Sequence, residues 1–136
     1  MRTVSDQNVQ IARRTFEAIR ARDIDGLVEL YDPDIEFEPL TGMQVEIGGY
    51  RGHAGVRRYF EEITHVWEVM LPHADDVRGV DDQVVILGGC AVRGRGSGAI
   101  SDNPMAWVLT LRDGKVLRHR AYSSREEALD AVGLAA

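Results

Sequence analysis

Cysteine is almost missing from this chain. Cys90 is the only one among 136 residues, which excludes an internal disulfide and fits a reducing, cytoplasmic setting. Cys90 falls in an apolar run, where a small core residue is expected rather than a nucleophile. Long hydrophobic runs are also missing. No apolar stretch approaches the roughly 20 residues needed to cross a bilayer, and the opening MRTVSDQNVQ lacks the apolar centre of a signal peptide. No membrane partner is expected. Positive charge is in deficit, with 16 Lys and Arg against 22 Asp and Glu and a net charge of −6. That field argues against non-specific nucleic-acid binding. The local basic run of Arg93, Arg95, Arg112, Lys115, Arg118 and Arg120 reads as solvated strand edges.

Chemical signatures are sparse too. The four histidines show no His-Glu-x-x-His spacing, and no cysteine joins them, so no metal site is expected. There is no Ser/His/Asp arrangement, no P-loop and no dinucleotide fingerprint. The glycine-rich GRGSG at 94–98 is a strand-to-strand turn without a following helix, a poor phosphate cradle. No cofactor is expected. Internal repeats and low-complexity segments are lacking.

What remains is enough to build a core. At 44% hydrophobic and 28% charged residues, residues 1–136 read as one globular domain. Val9, Ala12, Phe16 and Ile19 form one apolar stripe, which predicts a helix over 5–22 begun by Ser5 and Asp6. Asp23 caps a short second helix over 24–30. Asp32-Pro33-Asp34 reads as a turn, and Ile35 to Leu40 alternates as a short strand in which Glu36 and Glu38 face solvent. Residues 41–50 read as a loop, with a short strand at 44–47. Val56, Phe60, Ile63, Trp67 and Met70 are spaced 4, 3, 4 and 3, predicting a third helix over 53–70 that stops at Pro72.

The remainder is sheet. Strands are expected over 73–80 and 83–95. The run Val84-Val85-Ile86-Leu87 implies cover on both faces. A further strand starts near Ala99, with Pro104 marking an edge or a bulge. Ser124 and Glu127 form a capping box for a last helix, which Gly133 stops.

The strongest local signal is Trp107 to Tyr122. Asp113-Gly114 between two apolar-rich runs predicts a tight hairpin. An even register from Arg112 opposite Lys115 pairs Val108 with His119 and Trp107 with Arg120. It sorts Val108, Leu117 and His119 onto one face and Trp107, Leu109, Leu111, Arg118, Arg120 and Tyr122 onto the other. Helices on one face of a curved antiparallel sheet make an α+β fold with a conical space between them.

The stretches ARDIDGLVELYDPDIEFEP, YRGHAGVRRYFEEI, RGRGSG and LRDGKVLRHRAYSSREEALDAVGL occur in this order. Together they resemble the SnoaL-like branch of the nuclear-transport-factor-2-like superfamily. The resemblance implies a conical α+β barrel with N-terminal helices on a strongly curved antiparallel sheet. It also implies a homodimer joined through the outer sheet face. It leaves activity open among polyketide cyclases, steroid Δ-isomerases, epoxide hydrolases, dehydratases and non-catalytic binding modules. Laid on the steroid-isomerase pattern, the tyrosine position falls at Thr15, the base at Pro39 beside Glu38, and the oxyanion acid near Val108. None matches.

Two candidates for chemistry follow. His119, on the face that the resemblance turns to the pocket, reads either as an acid/base or as a hydrogen-bonded core residue. Arg93 joins that face if GRGSG turns tightly, and would then stabilise an enolate or carboxylate. Tyr50, Phe60, Ile63, Trp67 and Val108 are the expected ligand-lining residues. The sequence thus predicts a protein that binds a small hydrophobic molecule, either a cofactor-free cyclase- or isomerase-type enzyme or a non-catalytic binding or dimeric scaffolding module.

Overall fold

The computed structural model describes residues 3–134 except 42–43, 46–48 and 97. Helix α1 (Val4–Ala21) buries Ala12, Phe16 and Ile19 along the predicted stripe. Its cap is Thr3 rather than Ser5, in a reciprocal box with Asp6. Asp23 caps α2 (Ile24–Leu30) by accepting from the Gly26 N–H at 3.0 Å. Strand β1 (Tyr31–Glu38) begins earlier than the sequence predicts. Asp32-Pro33-Asp34 is a register break within this strand rather than a free turn. Two residue pairs, β2 (Leu40–Thr41) and β3 (Gln44–Val45), form a separate ladder. Residues 46–47 of the predicted loop strand lie outside the described residues.

Tyr50–Arg51 (β4) leads into α3 (Gly52–Ile63), which buries Val56, Phe60 and Ile63. The expected extension of this helix to Met70 is corrected. Trp67 opens the long strand β5 (Trp67–Val80). Trp67 and Met70 keep their apolar role, but they pack on the core from a strand. Pairing with β6 (Gln83–Gly94), from Trp67 opposite Gly94 to Val80 opposite Gln83, overrides the helical spacing.

Strands β7 (Ser101–Arg112) and β8 (Lys115–Tyr122) complete the main sheet, and α4 (Arg125–Ala131) follows with Ser124 as its cap. The order is β4-β1-β8-β7-β6-β5. Neighbours are antiparallel except β1 and β8, which run parallel. Pro104 lies beyond Ala106, the last β7 residue paired with β8, so β7 is an edge there.

The sheet separates two apolar clusters. Val84, Ile86, Trp107, Leu109 and Leu111 face α1 and α3. Val85, Leu87, Ala106 and Val108 face α4, packing with Ala128, Leu129 and Val132. The four consecutive apolar residues of β6 are therefore covered on both faces, as their run predicts.

The hairpin register departs from the even count. Arg112 faces Lys115 and Leu111 faces Val116, but Thr110 then faces Arg118. Leu117 is the extra residue of a bulge. Beyond it each partner moves by one: His119 faces Leu109, Arg120 faces Val108 and Ala121 faces Trp107. His119 thereby joins Trp107, Leu109 and Leu111 on the helix-covered concave face. Val108 goes to the opposite face with Arg118 and Arg120.

Candidate functional site in the concave interior

His119 is 3% exposed and Tyr31 is 1% exposed. The Tyr31 hydroxyl lies 2.6 Å from His119 Nδ1. Tyr31 is the first residue of β1 and His119 lies on β8, so the one parallel pairing of the sheet brings them together. The ring of Phe16 from α1 stacks parallel to the imidazole at 6.2 Å, and Phe37 lies 4.9 Å away. Burial pushes the imidazole down to about 3 and holds the Tyr31 phenol well above its ordinary value. Both groups are therefore neutral near pH 7. A neutral phenol needs an acceptor, and Nδ1 is the one in reach. The phenol donates, Nδ1 accepts, and the ring proton sits on Nε2. His119 is thus a neutral hydrogen-bond donor rather than a group titrating near neutrality.

An aromatic wall adjoins this pair. Tyr59 of α3 packs against Phe37 at 4.8 Å, Phe60 at 5.0 Å and Tyr50 at 5.3 Å between ring centres. The Tyr50 hydroxyl donates to Glu62 Oε2 at 2.5 Å, and Arg58 lies over its ring. Phe60 and Ile63 are buried in the core, and Trp67 and Tyr50 pack at its margin. His53 Nε2 lies 2.8 Å from the Tyr31 carbonyl, holding the start of α3 against β1. Thr15, where the resemblance would place a tyrosine, spends its hydroxyl on the Ile11 carbonyl at 2.8 Å.

Arg93 and Val108 are not with His119. Arg93 shares its side of β6 with Val85 and Leu87, and its Nη2 lies 3.2 Å from Glu68. The expected face-sharing fails because Leu117 shifts β8, not β6, by one residue. Val108 instead borders an outer recess of about 180 Å³ with Gln83, Thr110, Arg118, Arg120, Tyr122 and Ala131. Glu38 also departs from expectation. It is 3% exposed, and Arg118 Nε donates to it at 2.6 Å. Alternation did turn it away from Phe37, but β8 alongside and the arginine above remove it from water.

Two features escaped the sequence reading. Tyr31 follows an apolar helix and gave no sign of a polar partner 88 positions away. Arg22, just past α1, has a buried Nη1 without a hydrogen-bond partner. A charged residue at a helix end reads as solvated, and nothing local distinguishes this one.

Among the described residues, four helices packed on an open, six-stranded mixed sheet make an NTF2-like α+β fold. A family model for the SnoaL-like domain matches residues 12–119, and the chain belongs to that family. Among solved structures, an NTF2-like protein of unknown function from Burkholderia pseudomallei K96243 is 18% identical, with a TM-score of 0.76, covering 93% of this chain and 98% of that one. TerC co-crystallised with polyporic acid is 22% identical, with a TM-score of 0.74 over 93% of this chain and 97% of that one. A candidate SnoaL-like polyketide cyclase from Shewanella putrefaciens CN-32 is 20% identical, with a TM-score of 0.68 over 85% and 88% of the two chains. At such identities the likeness is one of fold. No curated protein matches the sequence.

Proposed function

We propose that this protein, as a single SnoaL-like domain over 1–136, binds a small hydrophobic molecule on the concave side of the sheet beneath α1 and α3. The observation that carries the reading is the Tyr31–His119 pair, a desolvated hydroxyl and imidazole 2.6 Å apart among aromatic rings. Such a pair suits cofactor-free chemistry of the cyclase or isomerase type. A neutral imidazole N–H polarises a carbonyl without carrying charge, and the phenol fixes its tautomer. Tyr50, Phe60, Ile63 and Trp67 supply the apolar surround. Arg93 and Val108 take no part, since they lie on the other side of the sheet.

The test uses 2-acetonaphthone and its carbonyl-free analogue 2-ethylnaphthalene, followed by tryptophan fluorescence. Saturable quenching by both is expected. His119→Phe should weaken the ketone by about tenfold, the order of one hydrogen bond, and leave the hydrocarbon unchanged. No saturable binding of either would end the reading. For any carbonyl substrate the protein turns over, full turnover by His119→Ala would remove His119 from the chemistry.

A second reading is a non-catalytic ligand-binding or dimeric scaffolding module. The same burial favours it, because an imidazole held near 3 stays neutral and does not take up a proton at neutral pH. We further propose a cytoplasmic homodimer joined through the outer sheet face, where Arg118, Arg120 and Tyr122 border the 180 Å³ recess. The lone cysteine and the net charge of −6 support that setting without nucleic-acid partners. Among the described residues no helix is long and apolar enough to cross a membrane.

A further inference from the structure

The outer face of the sheet changes character along its strands. Under α4 it is apolar, with Val85, Leu87, Ala106 and Val108 packed on Ala128, Leu129 and Val132. At Ala131 that cover stops, and the recess of about 180 Å³ opens. A polar row crosses three strands there. Gln83 of β6 pairs with Thr110 of β7, and Thr110 pairs with Arg118 of β8. Arg120, opposite Val108, and Tyr122, opposite Ala106, continue along β8 on the same face. The Leu117 bulge makes this row. An even count would set Arg118 beside Leu109, on the helix-covered side.

The row consists mainly of hydrogen-bond donors. Gln83 Nε2 donates to the Thr110 hydroxyl oxygen at 3.4 Å, which leaves the hydroxyl proton free to point elsewhere. Arg118 spends Nε on Glu38 at 2.6 Å, and among the described residues its two Nη groups have no partner. Arg120 has none at all. Its Nε is buried without a hydrogen-bond partner, and no described carboxylate forms an ion pair with it. Its guanidinium lies over the Tyr122 ring, 5.1 Å from the centre, which fixes the plane of the fork.

The nearest carboxylates on this face are Glu36 and Glu38 of β1. They flank Arg118 and Arg120 along the parallel pairing, and neither lines the recess. Arg118 answers Glu38, so the charge of Arg120 stands uncompensated. Arg93, the other β-strand arginine with a buried unpartnered Nε, is instead neutralised by Glu68 at 3.2 Å.

We propose that the outer recess is a binding site for a small oxyanion, a phosphate or a carboxylate, held by Arg120, Arg118 and the Thr110 hydroxyl. Donors and one unpaired positive charge around a hollow call for an acceptor that is itself charged, and the guanidinium fork fits two oxygens of one group. The size sets an upper bound. A volume of 180 Å³ is below the roughly 300 Å³ of pockets that hold drug-sized molecules. The net charge of −6 disfavours an extended polyanion as the occupant. This site is independent of the concave-side reading, because it uses the other face of the sheet. It is compatible with a second copy across the outer face: further arginines brought near the recess would repel, and an oxyanion there offsets that repulsion.

The test is isothermal titration of the full chain at about pH 7 in a chloride buffer, with inorganic phosphate and with succinate. Wild type should bind at least one of the two saturably, one ion per chain, and the tighter of the two identifies the source of the oxyanion. Arg120→Gln should weaken it by tenfold or more, the order of a charge-assisted hydrogen bond. Thr110→Val, which suits a strand, should weaken it about threefold or more and carries the test if Arg120→Gln misfolds. Arg13→Gln, an exposed arginine of α1, should stay within about twofold. The ion should also raise the melting temperature of wild type and not that of Arg120→Gln. No saturable binding of either ion by wild type overturns the proposal. So does full affinity in both Arg120→Gln and Thr110→Val. An equal loss in Arg13→Gln and Arg120→Gln also overturns it, in favour of diffuse attraction to the charge of the whole chain.

Discussion

A phenol and an imidazole with almost no access to water can share a hydrogen bond only if each is supplied with the other. Removing one partner strands its mate. Tyr31→Phe leaves His119 Nδ1 without a donor and should cost about 1–3 kcal/mol in urea unfolding. Tyr31→Phe/His119→Phe should cost less than the sum of the single changes, because the stranded group is gone. Acid should act through the same imidazole. An unfolded histidine takes up a proton below its ordinary value of 6.5, whereas the folded one waits until about 3. Its contribution is complete above 6.5 and declines as pH falls through that window, by about 1.4 kcal/mol per pH unit. His119→Phe should therefore show a flatter acid limb than wild type when unfolding free energy is followed from neutral to acid pH. His73 has the opposite sign. Hydrogen bonds to Asp102 and Asp75 raise it, so its contribution is present below the ordinary value and lost as pH rises through the folded one. Asp102→Asn should lessen that loss without abolishing it, because Asp75 still holds Nδ1.

At the scale of elements, small backbone irregularities decide which side chains meet. The bulge at Leu117 turns His119 toward Leu109 and sends Val108 outward, and nothing in an evenly alternating hairpin sequence marks it. Glycine plays the matching part in β6. A Cβ on Gly88 would lie 1.9 Å from the His73 carbonyl, beside the irregularity between Ala74 and Asp76 in β5. A Cβ on Gly89 would meet His73 Nε2 and Asp102, which join across the strand above it. Gly88→Ala should cost about 3 kcal/mol or prevent folding, since the obstacle is backbone rather than a movable side chain. Ser124→Ala should cost about 1 kcal/mol, because the Ser124 hydroxyl caps the Glu127 N–H of α4. Thermal unfolding of both variants separates a local cap from a strand-pairing constraint.

For the whole molecule, the outer recess beside α4 and the concave interior lie on opposite faces of one sheet, so the proposed assembly and the proposed ligand binding can be tested separately. Light scattering should give about twice 15.1 kDa at micromolar concentration, and Arg120→Glu should weaken that assembly without altering binding inside the cone. Much of this architecture is legible in the chain. The stripe of Phe16 and Ile19, the caps at Asp23 and Ser124, the Asp113-Gly114 turn and the doubly covered run of β6 depend on neighbours within a few residues. The sequence states such neighbours directly. Local periodicity also explains where the reading strays, since Trp67 and Met70 continue a helical spacing that only pairing with β6 overrides. The site was less legible, because it joins groups that local pattern cannot relate. Tyr31 reaches His119 only because β1 runs parallel beside β8. Glu38 lies out of water beside β8 and takes a hydrogen bond from Arg118, 80 positions away. Composition and local order thus determined the elements and the family of the fold. Which polar groups lost their water was decided by long-range strand order and one extra residue in β8.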